Sequence, residues 1–123
     1  MKHNYTLRFL FKGKELNVSV NGQHPMFNVE DINRILGNGN LEGAVNRVKN
    51  EYWLEEDEAG SEYKRYPKFE ENGTPPQLWT DYLGVVLLSH RLIQPYDSEQ
   101  ILWRPVNFEF NDWFEDVVMR ALY

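Results

Sequence analysis

The sequence predicts an α+β fold, and three patterns carry that expectation. Apolar and polar residues alternate from Leu7 to Val20, apolar residues recur at helical spacing from Val29 to Val48, and an apolar stripe runs from Phe110 to Ala121. The expected order is an N-terminal antiparallel β-hairpin or meander, two short helices, an irregular β-hairpin and two C-terminal helices. With 123 residues the chain is read as a single domain spanning 1–123, long enough to bury a core.

In "LRFLFKGKELNVSVNGQHPMF", Leu7, Phe9 and Phe11 share one face, and after a turn around Gly13 so do Leu16, Val18 and Val20. That period of two marks half-buried strands, and Asn21-Gly22 is the dipeptide of a type I′ hairpin turn. Met26-Phe27 completes a meander. Asn28 offers an N-cap, and Glu30 and Asp31 place negative charge in the first helical turn. Val29, Ile32, Ile35 and Leu36 follow helical spacing to a stop at Gly37. Asn40 caps a second helix, in which Leu41, Ala44, Val45 and Val48 form the apolar stripe. Residues 51–79 read as an irregular hairpin or long loop with a turn near Asn72-Gly73 and a brake at Pro75-Pro76. A helix is expected from Asp81 to Leu92, then a long connection with two prolines. The closing helix carries Phe110, Trp113, Phe114, Val117 and Ala121 on its buried side.

Composition narrows the function classes. The absence of cysteine removes disulfides, thiolate nucleophiles and thiolate metal sites, and suits a reducing, cytoplasmic setting. No apolar run approaches the roughly 20 residues of a membrane span, so no membrane partner is expected. Net charge is −6 but divided: residues 1–49 carry seven Lys/Arg against four Asp/Glu, and residues 50–123 carry six against fifteen. The resulting +3 and −9 weaken a nucleic-acid reading, because phosphate contacts dominate that affinity. A locally basic face remains compatible with it.

Catalytic chemistry is thinly supplied. His3, His24 and His90 are scattered, and Ser89-His90 are sequence neighbours, unlike a nucleophile and its base. The run Glu55-Glu56-Asp57-Glu58 lacks the spaced ligands and glycine of a calcium loop. Asp97-Ser98-Glu99 is followed by Gln100 where a metal-assisting lysine would be wanted. No phosphate-cradling or dinucleotide loop occurs. The expectation is a non-enzymatic protein with no cofactor and no metal.

Three features suit nucleic acid. Helix 41–49 carries Asn46, Arg47 and Lys49 away from its apolar stripe, and Arg and Asn can make bidentate contacts with base edges. Arg8, Lys12 and Lys14 on the first hairpin are placed like a phosphate clamp. In "YKRYPKF", Tyr63, Tyr66 and Phe69 interleave with Lys64, Arg65 and Lys68, a secondary candidate strand for stacking on bases. Each has a plainer counterpart, since polar residues opposite an apolar stripe are what any surface helix shows. The four-residue link between Leu36 and Leu41 is looser than a strict helix-turn-helix turn.

"MFNVEDINRILGNGNLEGAVNRV" resembles the core of the BRO-N domain of baculovirus BRO proteins and phage antirepressors, through Phe27, Asp31, Ile32, Leu36, Gly37, Asn40, Ala44 and Val48. "WTDYLGVVLLSHRL" is similar to a later segment of that family through Gly84 and Leu87, and "FNDWFEDVVMRAL" to its ending through Phe110, Trp113 and Val117-Val118. The resemblance implies DNA binding or a part in phage and prophage regulation. The connection from Arg91 to Phe110 is longer than in the family, 51–79 is unusually acidic, and no second domain is expected. The leading expectation is therefore an antirepressor-like DNA-binding protein reading through helix 41–49. The alternative is an acidic protein-interaction module that antagonises a repressor or a host defence factor.

Overall fold

A computed structural model describes residues 4–21, 24–37, 41–91 and 105–123. The alternating start of the chain forms two eight-residue strands, β1 (Asn4–Phe11) and β2 (Lys14–Asn21), paired antiparallel with Phe11 opposite Lys14. Lys12 and Gly13 close this hairpin with φ of 49° and 83°, the left-handed pair whose twist matches the flanking strands. β3 (His24–Asn28) continues the meander with Asn21 opposite His24. Gly22, and with it the expected Asn21-Gly22 turn, lies outside the described residues.

α1 (Val29–Ile35) starts directly from β3, and Asn28 caps it as expected: its Oδ1 accepts the Asp31 N–H at 3.0 Å. The capping residue also reaches sideways, its Nδ2 donating to Gln77 Oε1 at 2.8 Å. Asp31 is buried, and its Oδ2 accepts both the backbone N–H and the side-chain amide of Asn17 at 2.9 Å each. The first turn of α1 is thus tied to β2 as well as to β3. α2 (Leu41–Val48) follows; Asn40, its expected cap, lies outside the described residues.

Residues 51–79, expected as one irregular hairpin or loop, hold two separate strand pairs. β4 (Trp53–Glu56) and β5 (Glu62–Arg65) form a two-stranded ribbon of their own. β6 (Phe69–Asn72) and β7 (Gln77–Thr80) form a hairpin that joins the first meander through Phe27 opposite Thr80 and Asn28 opposite Trp79. The result is a five-stranded antiparallel sheet in the order β1-β2-β3-β7-β6. Asp81 caps α3 (Tyr82–Arg91), its Oδ1 accepting the Gly84 N–H at 3.0 Å.

One face of the sheet, with Phe11, Leu16, Val18 and Phe27, is buried under the helices. α4 (Pro105–Trp113) runs on into a π-helical turn (Phe114–Met119) and a last short turn, α5 (Arg120–Leu122). Its rings interlock with the sheet: Phe11 meets Trp113 at 5.2 Å, and Phe27 meets Phe114 edge-on at 5.0 Å between centroids. The buried stripe differs from the expected one, because Val118 is fully buried while Val117 is 45% exposed and Ala121 also faces solvent. The wider π turn holds residues four apart on one line, so Phe110, Phe114 and Val118 share the core face. No helix among the described residues is long and apolar enough to cross a membrane.

Candidate interaction surfaces

The helix proposed to read DNA packs as its stripe requires, with Ala44 and Val48 buried and Val45 half-buried. Asn46, Arg47 and Lys49 are exposed. Asn46, however, lines a groove of about 290 Å³ together with Glu42 and Val45 of α2, Glu30 of α1, and Glu71, Pro76, Gln77 and Leu78 of the β6–β7 hairpin. Three carboxylates therefore line the same groove as the residue expected to contact a base edge. The groove combines that negative rim with apolar surface from Val45, Pro76 and Leu78. Such a surface suits the stem of a lysine or arginine, whose methylenes lie on apolar walls while the cation meets carboxylate.

The proposed phosphate clamp is elsewhere. α2 borders the β6–β7 edge of the sheet, whereas Arg8, Lys12 and Lys14 belong to the β1–β2 edge. Three to four strand spacings, about 15–20 Å, separate the two groups. Arg8 lies on the sheet face opposite Leu7 and Phe9, away from the helices, and its guanidinium is 3.2 Å from Glu15. Lys12 is paired with Glu109 of α4. These pairs are exposed and contribute little to stability, but each sets a carboxylate beside a cation that phosphate contact would need.

The secondary basic strand falls mainly on the ribbon. Arg65 donates to Glu55 at 2.9 Å, and Tyr63 O–H donates to the same carboxylate at 2.9 Å. These hydrogen bonds, from Arg65 first and Tyr63 second, hold the Glu55 carboxyl below its ordinary pKa. The Glu55 partnership in turn raises the Tyr63 phenol and the Arg65 guanidinium above theirs. Lys64 sits over the Tyr52 ring, 4.6 Å from its centroid, and Lys68 lies 3.9 Å from Glu70. The expected aromatic interleaving divides: Tyr63 and Arg65 share one face of the ribbon with Trp53 and Glu55, while Tyr66 pairs with Tyr52 at 5.6 Å on the other. Phe69 is half-buried against the core and offers no stacking platform.

Sequence reasoning missed how exposed this ribbon is. Tyr52, Trp53, Leu54, Tyr63 and Tyr66 are all large, solvent-facing residues, with Leu54 62% exposed. "EYWLEE" has the composition of a strand, and its side chains are open because no element among the described residues covers them. The acidic tip from Glu56 to Glu58 is closed by Asp57, whose Oδ1 accepts the N–H groups of Ala59 and Ser61 at 2.9 and 2.8 Å. Of the residues weighed for catalysis, Ser89 is buried and binds Val86 O and Asn111 Oδ1 at 3.0 and 2.7 Å, a seam between α3 and α4 completed by Asn107 Nδ2 on Ser89 O at 2.7 Å. His3, Asp97, Ser98, Glu99 and Gln100, and the side chain of His90, lie outside the described residues. Comparison of the chain with protein-family models, with curated proteins and with solved structures gives no match in any of the three.

Proposed function

We propose that this chain is a non-enzymatic regulatory protein that works as an acidic protein-interaction module. The observation that carries the reading is the groove between α2 and the β6–β7 hairpin, lined by Glu30, Glu42 and Glu71 together with the apolar Val45, Pro76 and Leu78. Its chemistry suits a basic, partly apolar segment of another protein. The net charge of −6 favours encounter with such a partner and opposes encounter with phosphate backbones. The BRO-N resemblance supports a role within phage or prophage regulation, where an antirepressor-like module would antagonise a repressor or a host defence factor, and the absence of cysteine suits a cytoplasmic setting.

One observation favours a DNA reading through the same helix: Arg47 and Lys49 are exposed toward the end of α2. Fluorescence anisotropy separates the two. A labelled lysine- and arginine-rich amphipathic peptide is expected to bind the full chain at low salt, and Glu42→Gln with Glu71→Gln to weaken it several-fold. Duplex DNA is expected to give no retention under the same conditions. A DNA shift abolished by Arg47→Ala with Lys49→Ala would overturn the assignment and establish the alternative.

A further inference from the structure

The β4–β5 ribbon ends in open edges, since among the described residues no third strand pairs with either side. The inner bonding pattern determines what the β5 edge offers. Asp57 N–H donates to Ser61 O at 3.0 Å, so in an alternating antiparallel ladder the pairs Glu55–Tyr63 and Trp53–Arg65 exchange main-chain bonds within the ribbon. Glu62 and Lys64 then direct their N–H and C=O groups outward. Both residues are exposed. Opposite Glu62, in the close non-bonded position, stands Glu56; neither carboxylate has an ion-pair partner among the described residues. Like charges directly opposed in this way are destabilising. The edge thus presents unpaired main-chain groups and an uncompensated acidic pair, beside a lysine two residues along.

We propose that this edge binds a second copy of the chain, β5 against β5 in antiparallel register with Tyr63 opposite Tyr63 about a two-fold axis normal to the ribbon. Opposed residues in an antiparallel pair share a face, and a two-fold normal to the ribbon preserves faces. The residue numbers of opposed positions must therefore sum to an even value. With Tyr63 on the axis, Glu62 faces Lys64 of the second copy and Lys64 faces Glu62 of the second copy. These are also the residues whose main-chain groups point outward, so two ion pairs coincide with two bonded positions of the ladder. Each added lysine ammonium lies beside an acidic pair that lacks a cation in the single chain. On the other face the Tyr63 rings meet.

The neighbouring register, with Lys64 on the axis, opposes two lysines and loses both ion pairs. The β4 edge is worse, because "WLEE" would bring Glu55 and Glu56 of two copies together. Self-pairing through β5 is thus specified by sequence as well as by exposure. Only three β5 residues of each copy, Glu62 to Lys64, meet a β5 partner in this register, so little area is buried and the dimer is weak and depends on concentration.

Sedimentation equilibrium of the full chain over a concentration series tests the dimer, and charge exchange tests its register. The wild type is expected to shift from monomer to dimer as concentration rises. Glu62→Lys alone and Lys64→Glu alone are each expected to weaken the dimer at least tenfold, and the two together to restore it. Both positions are exposed, so thermal melts of the variants report any loss of fold. Because the chain has no cysteine, Tyr63→Cys supplies an independent readout. Non-bonded antiparallel partners lie about 4.5 Å apart at Cα, within disulfide reach. Tyr63→Cys is expected to cross-link in air through a single interchain disulfide. A chain that stays monomeric to millimolar concentration overturns the proposal. So does a dimer indifferent to both charge reversals, or one that the double exchange fails to restore.

Discussion

Gly84 shows how one residue can matter for space alone. Within a helix a glycine is ordinarily worth replacing, since alanine gains about 1 kcal/mol in backbone preference. Here a Cβ at Gly84 would lie 1.7 Å from Thr80 Oγ1 and 2.8 Å from Thr80 Cβ. Thr80 cannot give way cheaply, being fully buried with its hydroxyl donating to Lys68 O at 2.7 Å. Gly84→Ala is therefore expected to lower stability by about 1–3 kcal/mol, the cost of overpacking. Urea unfolding at constant m-value checks it, and a gain in stability would show that α3 has room to move off β7. The sequence marks Gly84 only through a family resemblance, and this contact is its physical reason. Asp31 is comparable: an acidic first-turn residue is legible from helix chemistry, but its bonds to Asn17 on β2 are not, because they join residues fourteen positions apart.

At the scale of elements, the closing helix and the 51–79 region depart from their expected forms for different reasons. A regular 3.6-residue period placed Val117 and Ala121 on the buried stripe with Phe110 and Phe114. The π turn changes the local twist and moves burial to Val118. Val118→Ala is accordingly expected to cost about 1–3 kcal/mol as a buried truncation, against about 0.5 kcal/mol or less for Val117→Ala at its exposed site. Paired thermal melts of the two variants decide this, and equal shifts would restore the regular α-helical stripe. Residues 51–79 are less legible in sequence because strands of four residues carry little period of their own. β7 is a sheet strand through its pairing with β3, and nothing local in "QLWT" announces that partner.

For the whole molecule, the tertiary arrangement decides which charges act together. Among the described residues the two basic groups expected to act together lie apart: α2 with Arg47 and Lys49 is at the β6–β7 edge, Arg8, Lys12 and Lys14 are at the opposite edge, and Arg8 and Lys12 each face a carboxylate. Two helices are also joined by a titratable contact, Tyr82 of α3 donating to Glu115 of the π turn. Burial first, and the Glu115 carboxylate second, push the Tyr82 phenol up to about 12 from its ordinary 10.0. A raised phenol pKa means that the folded state holds the proton more tightly than the unfolded chain. The contribution is therefore complete below pH 10 and lost as pH rises through about 12. Tyr82→Phe is expected to remove this component of alkaline destabilisation, visible as a shallower fall in melting temperature above pH 10 than the wild type shows. Identical pH profiles for the two proteins would mean that the phenol is not held in this way.

The sequence by itself determined the α+β class, the first hairpin, the cap at Asn28, the stripe of α2 and the start of α3, because each rests on local chemistry or on periodicity within one segment. Only the tertiary structure decided that 69–80 completes the main sheet while 53–65 stands apart as an exposed ribbon. Both segments mix short apolar runs with charge, and what separates them is whether a distant strand or helix covers them. It also decided that Asn46 sits among glutamates rather than with Arg8, Lys12 and Lys14. Charge along a chain is a sum over residues, whereas an electrostatic surface depends on which residues the fold brings side by side.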